Sequence, residues 1–143
     1  MKRTTLSSKM RDIAQRLLAY ESAGEHPIES HLPPVYRVIE KIRRTLSTLA
    51  GDAGFHSLLA RSLTLAKRDA QTLNAVRVMP DGSLVGLGEL HNDDAAEAGV
   101  ILIAHLLELL ATLIGEFLVL RLVHDVWPDL RSGGTDSGER QPT

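Results

Sequence analysis

His105 and Glu108 stand three positions apart, the spacing at which an imidazole and a carboxylate meet on one helix face and can share a proton or begin a metal site. At 100° per residue Thr112 and Glu116 join them within an arc of about 80°. His105, Glu108, Thr112 and Glu116 are therefore the candidate ligand-binding set. A metal centre needs more than this. Diiron bundles use the reverse order, Glu-x-x-His, with carboxylates from other helices, and no second motif of that kind occurs. No metal site and no cofactor are expected, and the alternative reading of the stripe is hydrogen-bonded structural polarity.

Glu116 sits in an apolar run where an unpaired charge is costly. The sequence offers it a solvated crevice, a base such as Arg61, Lys67 or Arg68, or a group on a second copy of the chain. Arg37, Lys41, Arg43 and Arg44 form a basic patch that could hold the phosphates of nucleic acid or of anionic lipid. Glu40 interrupts it, Tyr36 is the only nearby aromatic, and no helix-turn-helix is evident, so nucleic acid is the least favoured partner. A solvated face, or a dock for the acidic half of the chain, is the plainer reading. His26, His31, His56 and His91 are scattered without ligand spacing, and GxSxG, P-loop and GxGxxG motifs are lacking. No catalytic residue is assigned.

The elements that carry these residues are read from periodicity. Leu6, Met10, Ile13, Ala14, Leu17 and Leu18 mark an amphipathic helix over residues 6–21. A proline-rich connector follows. Pro33-Pro34 opens a second helix, whose stripe runs through Val35, Val38, Ile39, Ile42, Leu46 and Leu49 to Gly51. A third begins at Asp52 and extends to about Asp69, with Phe55, Leu58, Leu59, Ser62, Leu63 and Ala66 facing inward. Between about residues 75 and 87 the pattern becomes extended around Pro80-Asp81-Gly82-Ser83, which predicts one short β-hairpin.

The final helix, about residues 95–126, contains Gly99 to Val123, a stretch of 25 positions of which 18 are apolar. A helix apolar nearly all round is a buried strut, an oligomer seam or a membrane element. It is long enough to span a bilayer, at about 37 Å. Sixteen Leu, Ile, Val and Phe residues favour insertion by roughly 5–10 kcal/mol, which Glu108, Glu116 and Arg121 nearly cancel at about 2.5–3.5 kcal/mol each. The flanks are acidic, without the Lys/Arg cluster that orients a span. Membrane association is thus an alternative, and a buried helix the main expectation.

At 143 residues the chain fits one helical domain over residues 1–131, with 132–143 read as a disordered tail. The class is mainly α, a four-helix bundle-like domain with a long apolar C-terminal helix and one hairpin. Cysteine is absent, which excludes thiol catalysis and thiolate metal sites. The N-terminus starts basic but lacks the apolar run of a secretory signal, so a cytoplasmic place is the default expectation. Residues 1–70 carry twelve Lys/Arg against seven Asp/Glu, residues 71–143 four against eleven, a split that can steer one copy toward another.

The block from Gly51 to Leu90, with the Gly54-Phe55 corner and the Asp81-Gly82-Ser83-Leu84 turn, is followed by Ile114-Gly115-Glu116 and Leu-Arg-Leu-Val at 120–123. Over roughly residues 10–128 this resembles a family of small uncharacterised bacterial proteins. The resemblance implies a bacterial origin and transfers no catalytic residue. Three amphipathic stripes do not cover a helix apolar over most of its circumference, and surplus apolar surface is met by self-association. The expected function is a non-enzymatic interaction or regulatory module that self-associates, most simply as a homodimer, through the long helix, with a protein partner possible. A ligand-binding or enzymatic protein using His105, Glu108 and Glu116 is the alternative.

Overall fold

The computed structural model describes residues 8–23, 34–80, 84–86, 92–128 and 130. The expected mainly α class is what the chain adopts. Its elements are α1 (Ser8–Ala23), α2 (Pro34–Asp69), a 3₁₀ turn (Gln71–Ala75), β1 (Arg77–Val78), β2 (Leu84–Val85), α3 (Asn92–Ile114) and α4 (Glu116–Val126). They share one hydrophobic core.

α1 buries Met10, Ala14 and Leu17, one stripe at i, i+4 and i+7. α2 starts at Pro34, where a missing amide costs nothing because first-turn amides have no helical partner. Its two limbs are the second and third helices of the sequence reading, kinked at Gly51, whose φ of 80° and ψ of 164° suit glycine. Ser47 spans the kink by donating its hydroxyl to Asp52 Oδ1 at 2.7 Å. The first limb buries Val35, Val38, Ile39, Ile42 and Leu46, the second Phe55, Leu59, Leu63 and Ala66.

α3 is the central strut. Ile101 to Leu107 are buried without interruption, as all-round apolarity requires. Gly99 lets α3 approach its neighbours closely: a Cβ there would stand 3.2 Å from the Val35 side chain and 3.4 Å from that of Leu18.

The apolar stretch does not form one helix. It breaks at Gly115 (φ 96°, ψ 146°), a conformation side-chain-bearing residues avoid, and α4 begins afresh at Glu116. The directions follow from contacts with α1. Gly99 lies against Leu18, Glu116 pairs with Lys9, and Trp127 bonds Glu21. α3 therefore runs against α1, and α4 folds back to run beside α1 in the same sense.

The hairpin is shorter than expected, pairing Arg77 with Val85 and Val78 with Leu84 in antiparallel register. Ala75 belongs instead to the 3₁₀ turn, pinned by the buried Leu73 and Val76. The Asp81-Gly82-Ser83 turn, the connector at 24–33, His26, His31, His91 and the tail at 132–143 lie outside the described residues.

Candidate functional site

The polar stripe is divided by the helix break at Gly115: His105, Glu108 and Thr112 lie on α3, and Glu116 opens α4. His105 is buried within α3 and its Nε2 lies 2.8 Å from Oδ2 of Asp69, at the end of α2. An ionised carboxylate only accepts, so Nε2 carries the shared proton. His105 thus fastens α3 to α2. Thr112 turns its hydroxyl to the Glu108 backbone carbonyl at 3.0 Å, a local helix bond. Glu116 falls beyond the Gly115 break, which ends the helical phase relation on which the stripe rested. Among the described residues no three His, Asp or Glu side chains are gathered to hold a metal.

Glu116 finds a partner the sequence reading did not name. It pairs with Lys9 of α1, not with Arg61, Lys67 or Arg68, because the fold-back at Gly115 carries it to the start of α1. Both side chains are about half exposed. At the first turn of α4 the carboxylate also meets the positive end of the helix dipole.

The basic patch is divided among acids of its own half of the chain. Arg43 donates Nη2 to both oxygens of Glu40, at 2.9 and 2.8 Å, and Arg44 is exposed. Arg37 and Lys41 surround Glu21, which is only 1% exposed. Lys41 Nζ donates to Glu21 Oε2 at 2.5 Å, and Arg37 places Nε 3.4 Å from Oε1 and donates Nη2 to the Glu21 carbonyl at 2.9 Å. Trp127 Nε1 donates to the same Oε2 at 2.8 Å, and Lys41 Nζ stands 5.9 Å from the indole centroid. Burial works to raise the Glu21 pKa, but the bonds from Lys41 and Trp127 and the charges of Lys41 and Arg37 outweigh it, holding the carboxyl below its ordinary value.

Sequence reading passed over Glu21, although a signal was present. Met10, Ala14 and Leu17 extend at helical spacing to Glu21, so a carboxylate occupies the next core position of the stripe.

Leu49, which the stripe of the second helix places inward, is instead 73% exposed beside the Gly51 kink, and a group of exposed apolar side chains lies at the fold-back. Leu113 is 66% exposed, Phe117 73% and Leu118 49%, on either side of Gly115, with Leu120 one turn further along α4. Large apolar side chains grouped around a corner are the informative departure from a water-facing surface. The Lys9–Glu116 pair borders them. Asp94–Ile114 is long and apolar enough to cross a membrane by length and composition, with 56% of that window buried inside the protein. Neither a protein-family model, nor a curated protein, nor a solved structure matches the chain.

Proposed function

We propose that the chain is a non-enzymatic interaction module that pairs with a second copy of itself through the corner between α3 and α4. The observation that carries this reading is the exposure of Leu113, Phe117 and Leu118 around Gly115. α3 itself is covered by α1 and α2, so the seam lies at its C-terminal end and on α4 rather than along its length.

A second copy is the occupant that the border of the patch fits. A two-fold interface sets the same patch against itself, so its rim must be self-complementary. Lys9 and Glu116 supply one charge of each sign beside the patch, so a second copy brings both signs to the same rim. The ion pair is exposed and contributes little to stability, but it sets register and orientation.

Light scattering behind size exclusion, at several concentrations and without detergent, tests the reading. A dimer that becomes a folded monomer on Phe117→Asp is expected. A monomer at high concentration overturns it, as does a protein that sediments with membranes.

A further inference from the structure

A single residue joins α4 to α3. The Gly115 N–H donates to the Ala111 carbonyl at 2.9 Å and the Gly115 carbonyl accepts from Val119 at 3.1 Å, so helical bonding reaches this residue from both sides and only its own backbone angles break the helix. We propose that Gly115 is a hinge and α4 an exchangeable arm, which leaves its own α1 and takes the same seat on a second copy of the chain. The inference rests on the self-association proposed above and gives it a mechanism.

Straightening at Gly115 brings gains. In the fold-back the amides of Glu116, Phe117 and Leu118 form the first turn of α4 and have no helical acceptor. A continuous helix gives them the carbonyls of Thr112, Leu113 and Ile114, and it returns Gly115 from a positive φ to the helical region. What α4 loses on leaving is the burial of Val119, Leu122, Val123 and Trp127. A second copy offers the identical seat, so exchange restores that burial.

The seat is specific at its ends and loose between them. Lys9 pairs with Glu116 at one end, and the buried Glu21 takes the Trp127 indole N–H at the other. Between these ties a groove of about 460 Å³ stays open, with Ile13 on the α1 side and Leu120 and Val123 on the α4 side. Atoms facing such a gap forgo packing contacts, so α4 is held less firmly than α3, which is buried at every position from Ile101 to Leu107.

The directions of the helices fit an exchange. α4 runs with α1 and α3 runs against it, so a straight α3–α4 helix from a second copy fills the seat only by lying antiparallel to the first copy's α3. A two-fold axis across the helices imposes that relation. It also brings the two Gly115 segments together at the axis. There the exposed Leu113 and Phe117, which share one face at i and i+4 of a straight helix, meet their counterparts.

Arg16 of α1 and His124 of α4 line the groove from opposite walls, and the chain has no cysteine. Chains carrying Arg16→Cys and chains carrying His124→Cys are mixed in denaturant, refolded together at high concentration, treated with a short bis-maleimide and resolved by size under denaturing conditions. Because each thiol faces the groove, a link between two chains requires α4 of one beside α1 of the other. Exchange predicts covalent dimers from the mixture and few from either variant alone, while the double variant refolded at high dilution closes within its own chain. Adding Gly115→Ala to both chains strains the fold-back and suits the straight helix, and should raise the ratio of exchanged to folded-back chains by at least about tenfold. No mixed dimer in either background, while light scattering shows a dimer, overturns the exchange and leaves the corner pairing standing. A chain that light scattering finds monomeric in both backgrounds overturns the two together, and a mixed yield indifferent to Gly115→Ala overturns the hinge.

Discussion

Trp127 donates its indole N–H to Oε2 of Glu21, 106 positions earlier in the chain, at 2.8 Å. With Lys41 and Arg37 from α2 bound to the same carboxylate, that bond fastens the C-terminal ends of α1 and α4 to the first limb of α2. A buried carboxylate is tolerated here only because its donors and opposite charges are in place.

Removing the charge while keeping the shape should therefore be costly. Glu21→Gln is expected to lower unfolding free energy by about 3 kcal/mol, since it leaves Arg37 and Lys41 without their counter-charge. Trp127→Phe removes one donor and should cost about 1–2 kcal/mol. Urea titration followed by circular dichroism measures both, and a Glu21→Gln cost no larger than that of Trp127→Phe would contradict the clamp.

The lowered pKa of Glu21 also fixes a direction with pH. A carboxyl held below its ordinary value when folded binds its proton more readily in the unfolded chain. Its contribution is complete above the ordinary glutamate value and is lost as pH falls through that value toward the depressed one. Unfolding free energy should thus drop more steeply on acidification in the native chain than in Glu21→Gln. Parallel acid limbs would show that the carboxylate contributes nothing of the kind.

Gly115→Ala tests the fold-back. Among the described residues nothing lies within 4 Å of the Cβ it would add, so its cost is backbone strain, about 1–3 kcal/mol. A variant as stable as the native chain would mean that α3 and α4 do not require this break.

Periodicity made most of the helices legible, because Met10, Ala14 and Leu17, or Val38, Ile42 and Leu46, repeat at the pitch of the element that buries them. Gly51 was readable as a helix end since Asp52 and a fresh apolar stripe follow it. Gly115 was not. Apolar residues continue on both sides of it, and only the tertiary choice of α4 to return along α1 shows that it reverses the chain. That reversal moved Glu116 off the stripe and onto Lys9, and it opened the groove lined by Ile13 and Leu120. The pairings of Lys9 with Glu116 and of Glu21 with Trp127 were illegible for the same reason: each joins residues more than a hundred positions apart, to which local spacing is blind.

The absence of cysteine allows the central claim to be tested at a chosen place. Leu118→Cys, at the corner, and Tyr20→Cys, at the far end of α1, each give the chain a single thiol. Each variant is treated with a short bis-maleimide and resolved by size under denaturing conditions. The corner pairing predicts a covalent dimer from Leu118→Cys at dilute protein concentration and little from Tyr20→Cys. Equal cross-linking of the two variants, or none at Leu118→Cys, would contradict it.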